Sequence, residues 1–131
     1  MLEHYLDIRF ISAGIGGFIG GFIGPFDKLL FALIIFIAVD YVTGVLCAIL
    51  ERNLSSTIGF KGLCQKVFIL LLVGIANVLD VNVIGGGSII RSAVICFYIS
   101  NEGISIFENA GRIGLPIPHR MQKAMKQLRK K

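Results

Sequence analysis

Residues 91–112 constrain this chain more than any other stretch. Set on a helix at about 100° per residue, Arg91, Tyr98, Asn101, Glu102, Ser105, Glu108, Asn109 and Arg112 fall within one arc of about 120°. The opposite side carries Ala93, Cys96, Phe97, Ile99, Ile104, Ile106 and Phe107. At 1.5 Å per residue the stretch is roughly 33 Å long, the thickness of a bilayer's hydrocarbon core. It reads as a membrane-length helix with a polar stripe along its whole length. Such a helix cannot face lipid on every side, so the rest of the chain is what it packs with and what orients it.

The stripe makes insertion a close matter. Nine Leu, Ile, Phe and Val residues between Ile89 and Phe107 contribute roughly −3 to −5 kcal/mol on an insertion scale. A mid-helix carboxylate such as Glu102 costs on the order of 2.5–3.5 kcal/mol, and Asn101 adds to it. The balance is near zero, and the stripe has to shelter against protein or water.

The remainder is a membrane composition. Of 131 residues, 55% are hydrophobic and 16% charged, more apolar surface than a soluble domain of this size can bury. Residues 1–9 are a short polar lead-in with no cleavable signal. Residues 10–24 are apolar and Gly-rich. Gly16, Gly20 and Gly24 repeat every four residues, and Gly17 and Gly21 repeat one step over, a doubled ridge that admits another backbone closely. A full span is favoured here, with a re-entrant or mobile hairpin as the alternative. Gly24, Pro25 and Asp27 make a turn.

Residues 28–50 are the cleanest span, with Asp40 near the middle and Thr43, Gly44, Cys47 and Ala48 on its small, polar face. Residues 51–63 read as a polar loop in which Ser55 or Ser56 caps a short helix. Residues 64–80 form a third span bearing Gly74 and Asn77, and the glycines at 85–87 leave room only for a short turn. The last two spans, the second being 88–110, therefore form a hairpin. Gly114, Pro116 and Pro118 stop the final span, and residues 111–131 are a basic tail with Met121, Met125 and Leu128 at helical spacing.

The fold expected is an all-α integral membrane protein of three or four transmembrane helices, four being favoured. Lys and Arg set its orientation. Eleven cations (Arg9; Arg52, Lys61 and Lys66; seven from Arg112 onward) fall on one side and only Lys28 and Arg91 on the other. The positive-inside rule then places both termini in the cytoplasm, with the tail held to anionic lipid at about 1 kcal/mol per basic residue near the surface.

Asp40 and Glu102 come out at similar depth, and no Lys or Arg is expected there to pair with them. They are protonated, hydrogen-bonded to Asn77, Asn101 or Thr43, or in contact with water. Glu102 is expected to face other copies of the chain. Arg91 is expected to pair with Asp80 across the hairpin turn. Cys47, Cys64 and Cys96 lack metal-ligand spacing and read as packing residues. His4 and His119 lie at opposite ends, so no metal, cofactor or catalytic residue is expected. The Gly-rich segment lacks the strand and Lys of a phosphate loop, and the tail lacks the interleaved aromatics of a nucleic-acid surface.

Three stretches resemble the small holins of phage lysis cassettes and of clostridial-type toxin-secretion loci. They are Asp-Tyr-x-Thr-Gly at residues 40–44, Ser-Ser-x-x-Gly at 55–59, and Asn-Glu-x-x-Ser-x-x-Glu-Asn at 101–109 before Gly-Leu-Pro-x-Pro. The resemblance runs from about Pro25 to about Arg120 and implies roles for Asp40, Thr43, Gly44, Ser55, Ser56, Gly59, Gly62, Asn101, Glu102, Ser105, Glu108 and Asn109. It implies a protein that accumulates in the bacterial cytoplasmic membrane, oligomerises, and opens lesions through which an endolysin or toxin passes, with an antiholin as a possible partner. The alternatives are a non-lytic membrane scaffold or small transporter subunit, and an antiholin-like regulator of the same fold.

Overall fold

A computed structural model describes residues 1–129. Among them are five helices: α1 (Leu2–Ile23), α2 (Lys28–Leu50), α3 (Ser56–Val78, continued by wider π-type turns over Leu79–Ile84), α4 (Ile89–Arg112) and α5 (His119–Arg129). The first four are long and apolar enough to cross a membrane. Lys130 and Lys131, the end of the basic tail, lie outside the described residues.

Each boundary has a local cause. The Asp27 carboxylate accepts from the Leu30 N–H at 2.9 Å and starts α2. The Ser55 hydroxyl accepts from the Ile58 N–H at 3.1 Å and starts α3. That cap extends the third helix eight residues earlier than residue 64, so 51–63 is mostly helix rather than loop. At the other end of the hairpin, Gly85, Gly86 and Gly87 all have positive φ, a reversal that side chains with a Cβ resist. The Asp80 carbonyl accepts both the Gly85 and Gly86 N–H groups.

α1 is one continuous helix that includes the lead-in, so residues 10–24 contain no hairpin. It is exposed from residue 1 to 21, and burial begins at Phe22. A Cβ added at Gly16, Gly17, Gly20 or Gly21 meets nothing within 4 Å, so the ridge is unused inside the protomer. The last turn is held firmly. The Phe22 ring lies in the space a Cβ on Gly74 would need, and the Asn77 amide donates to the Phe22 and Gly21 carbonyls at 3.0 and 3.4 Å.

α2, α3 and α4 form the bundle. The buried residues of α2 are Leu30, Leu33, Asp40 and Cys47, and those of α4 are Arg91, Ile95, Glu102 and Asn109. Leu33, Asp40 and Cys47 are spaced by seven, as are Ile95, Glu102 and Asn109. Two helices running in the same direction with heptad spacing meet along a single seam. α3 runs the opposite way and completes three layers. The first is apolar: Leu30, Leu33, Ile69, Val73 and Ile95. The second holds Asp40, Lys66 and Glu102, and the third holds Cys47, Thr43, Asn109 and the start of α3.

Candidate functional site

The middle layer is a charged triad. Asp40 lies ten residues from the Leu50 end of α2, Lys66 ten from the Ser56 start of α3, and Glu102 ten from the Arg112 end of α4. At 1.5 Å per residue all three are about 15 Å from the same end of the bundle. The Lys66 ammonium donates to the Asp40 carboxylate and, at 2.7 Å, to the Glu102 carboxylate. Side-chain exposure is 15% for Lys66, 8% for Asp40 and 3% for Glu102.

This arrangement corrects two expectations. A cation does sit at the depth of Asp40 and Glu102: the early start of α3 carries Lys66 from the loop edge into the bundle, leaving ten cations on the side that orients the chain. Within the protomer Glu102 points inward to that cation rather than outward from the bundle.

Asn109 secures the next layer. Its side-chain amide donates to the Asp40 carboxylate at 3.1 Å and to the Thr43 hydroxyl at 2.9 Å, and its backbone carbonyl accepts from the Cys47 thiol at 3.2 Å. The amide partner of Asp40 is therefore Asn109; Asn77 is occupied at the far end of α3. Gly44 faces Asn109, where a Cβ would come within 3.8 Å of the amide nitrogen. Tyr41 lies along Gly59 and Gly62 of α3, its hydroxyl donating to the Gly59 carbonyl at 3.5 Å.

The polar stripe of α4 thus divides. Glu102 and Asn109 are buried and satisfied within the protomer. Tyr98, Ser105 and Glu108 are half-buried, and Asn101 is exposed. Two clefts flank the triad. One of about 280 Å³ reaches from Asp40 and Lys66 past Ser105 and Asn109 to Asn53 and Arg112 at the bundle end. The other, about 460 Å³, is lined by Asp40, Gln65, Lys66, Tyr98, Asn101 and Glu102.

Arg91 and Asp80, expected as an ion pair, serve different partners. The Asp80 carboxylate accepts from the backbone N–H groups of Ile90 and Arg91 at 3.1 and 2.8 Å and so caps α4. Side chains on a helix lean toward its N-terminus, which carries the Arg91 guanidinium to the α1–α2 turn. There it donates to the carbonyls of Ile23 and Pro25, both at 2.8 Å, and to the Asp27 carboxylate at 2.9 Å. The Ile23 carbonyl is one that the end of α1 leaves unpaired, and the Pro25 carbonyl also accepts the Asp27 N–H at 2.9 Å. Gly24 stands between Asn77 and Arg91 with φ +95°, and a Cβ there would clash with both. The Leu30 N–H and then Arg91 hold the Asp27 carboxyl below the usual aspartate range despite the opposing effect of burial. At the opposite end Arg112 holds both oxygens of Glu51, at 3.1 and 2.8 Å, and lowers that carboxyl likewise.

Lys66 and Asp27 are the residues sequence reasoning missed as partners. A helix start at Ser55 was the available signal for Lys66, because it places the cation three turns inside α3.

Comparison with known proteins agrees with this architecture. A family model described as the bacteriophage holin family matches residues 17–130, which include every residue of the triad and its surroundings. An uncharacterised 14.9 kDa protein from the nagH 3′ region of Clostridium perfringens is 39% identical over 127 residues, 95% of this chain and 96% of that protein. An uncharacterised protein of Listeria monocytogenes is 41% identical over 111 residues, 85% of this chain and 79% of its own. A probable holin of Bacillus phage phi105 is 36% identical over 80 residues, 61% of this chain and 58% of the phage protein. No solved structure matches.

Proposed function

This chain belongs to the bacteriophage holin family, a non-enzymatic family of membrane proteins, and from that membership we propose that it forms holes in the cytoplasmic membrane of a bacterial host. It accumulates there as closed protomers with both termini in the cytoplasm. It then oligomerises and opens a path for a passenger protein too large for a transporter, an endolysin or a toxin.

The polar cleft between α3 and α4 at mid-bilayer depth carries this reading. Gln65 and Asn101 are exposed on its rim with Lys66 and Glu102 behind them. Hydrocarbon offers such groups no hydrogen bonds, and each costs several kcal/mol against lipid. Gathering copies so that the clefts face one another, or face water, removes that cost. The unused glycine ridge of α1, Gly16, Gly17, Gly20 and Gly21, supplies a second close contact between copies. Tyr98, Asn101, Ser105 and Glu108 are the side chains that line the opening, with Glu102 joining them once its hold on Lys66 is released.

The test is inducible expression in a bacterial host, following membrane potential and dye entry for the parent, Asn101→Leu and Glu102→Leu. The parent depolarises the membrane after a fixed delay, and both variants change that delay or abolish the event. Equal permeabilisation at equal delay by all three sinks the lining assignment. An intact potential on accumulation of the parent, with a stoichiometric partner on solubilisation, marks a scaffold or transporter subunit. Delayed lysis by a co-expressed holin marks an antiholin-like regulator.

A further inference from the structure

We propose that each closed protomer already contains an aqueous half-channel, open to the cytoplasm and blind toward the outside, that delivers water and small hydrated cations, protons included, to the Asp40–Lys66–Glu102 triad. The two clefts are one tract, since Asp40, Gln65, Lys66 and Ser105 line both. At about 280 and 460 Å³ they have room for on the order of twenty waters at roughly 30 Å³ each. The walls supply polar partners along the length of the tract, and the remaining bonds of each water go to neighbouring waters. Asn53, Ser55 and Arg112 stand at the mouth, Asn109 and Ser105 follow, and Gln65 and Asn101 stand beside the triad.

The tract ends abruptly. Beyond Glu102 the bundle closes on Leu33, Ile69, Val73 and Ile95, which are 0–7% exposed. The neighbouring recess toward the Arg91 end shares Leu72 and Tyr98 with the larger cleft but is otherwise apolar (Ile75, Ala76, Val94 and Phe97), so the Tyr98 hydroxyl is the one side-chain group there for water to bond. Charged groups from all three helices meet at the blind end, Asp40 from α2, Lys66 from α3 and Glu102 from α4. The Glu51–Arg112 pair flanks the mouth. The triad is therefore in contact with one compartment only. Which compartment rests on the orientation proposed above.

Cysteine accessibility tests this. In a Cys47→Ser, Cys64→Ser, Cys96→Ser background, Gln65→Cys, Ser105→Cys and Ala93→Cys are placed singly in the full chain and held in membranes before any loss of potential. A membrane-impermeant, positively charged methanethiosulfonate is applied to inverted vesicles and to intact spheroplasts. Gln65→Cys and Ser105→Cys are modified at least tenfold faster in inverted vesicles, and Ala93→Cys stays unmodified in both. Gln65 is exposed, so its variant decides the matter should Ser105→Cys accumulate poorly. Unreactive thiols at 65 and 105 from both sides, or equal rates from both, overturn the half-channel. Faster modification in spheroplasts overturns the compartment assigned to it. Because labelling precedes hole formation, a protein that labels as stated and never permeabilises refutes the hole-forming reading alone.

Discussion

Replacing Lys66 by Met keeps most of the side chain's volume and removes its charge together with the two hydrogen bonds the ammonium donates. Asp40 and Glu102 are then left facing each other with no cation. All three side chains are 15% exposed or less, so solvent screens the change weakly. Removing one partner from a buried ion pair costs about 3–5 kcal/mol, because the charge left behind stays desolvated. At about 1.36 kcal/mol per tenfold, the equilibrium between closed and opened protomers shifts by a factor of roughly 10² to nearly 10⁴. Two-state proteins are commonly separated by a few kcal/mol, so this change is large enough to invert the populations.

The detergent-solubilised Lys66→Met protein should melt roughly 10–20 °C below the parent, applying the usual relation between stability and melting temperature for a domain of this size. In cells its delay to depolarisation should shorten at matched membrane levels. The control is Asp40→Asn, Lys66→Met, Glu102→Gln together. It removes every charge while keeping amide donors and acceptors, and it should regain most of the lost melting temperature, since replacing all partners costs far less than orphaning some. If Lys66→Met melts with the parent and the triple variant gains nothing over it, the triad does not hold the closed bundle.

Four further outcomes follow from the same contacts. Gly16→Leu with Gly20→Leu should leave protomer melting unchanged, because nothing lies within 4 Å of either position, and should abolish cross-linked oligomers in membranes. Gly74→Leu displaces the Phe22 ring and should destabilise by about 1–3 kcal/mol, read as faster proteolytic release of α1. Arg91→Met orphans the Ile23 carbonyl at about 1–3 kcal/mol and leaves the Pro25 carbonyl only its bond from the Asp27 N–H, seen as a lower steady-state membrane level. Arg91→Lys should rescue it poorly, since an ammonium cannot span three acceptors as a guanidinium does. Asp27 has a depressed carboxyl in the folded state, so its contribution is complete above the ordinary aspartate value of 3.8 and is lost as pH falls through the lower folded value. Asp27's share of the melting temperature should thus be constant above pH 5 and fall below about pH 4, and the difference between the parent and Asp27→Asn should shrink over that acid range.

Much of the architecture was legible because lipid leaves so few options. Hydropathy and length gave the four apolar helices, the glycines at 85–87 gave the hairpin, and the matched depth of Asp40 and Glu102 followed from counting along spans. The polar arc of α4 was also visible, and the structure turns Glu102 and Asn109 of that arc inward. Partner identity was less accessible. An arc drawn on one helix says which side is polar and not what faces it. A one-turn error in the start of α3 already moves Lys66 by about 5 Å along its axis, and eight residues moved it about 12 Å deeper into the bundle. Asp80 and Arg91 looked like a pair because they are near in sequence. The unpaired N–H groups at the start of α4 claimed Asp80, and the carbonyls at the end of α1 claimed Arg91. The heptad repeat of Leu33, Asp40 and Cys47 against Ile95, Glu102 and Asn109 was in the sequence throughout, hidden by a hydropathy profile that registers the carboxylates only as interruptions.

That repeat bears on how the protomer assembles. Within a bilayer the hydrophobic effect does not draw helices together, since lipid tails are as apolar as the side chains they replace. α2, α3 and α4 each carry one charge at the same depth, and each charge costs its helix a few kcal/mol as long as the helix is alone. Association lets the Lys66 ammonium satisfy one oxygen of each carboxylate at once, while the other Asp40 oxygen accepts from the Asn109 amide. The near-zero insertion balance of α4 is then not a defect of the span. It ties the burial of α4 to the presence of α2 and α3, so the chain inserts stably only as a closed bundle. The charge that drives closure also survives it. If copies open a hole as proposed, separating the three helices would return those charged groups to water, where they cost little, and the same residues would then stabilise both the closed protomer in lipid and the open wall in water.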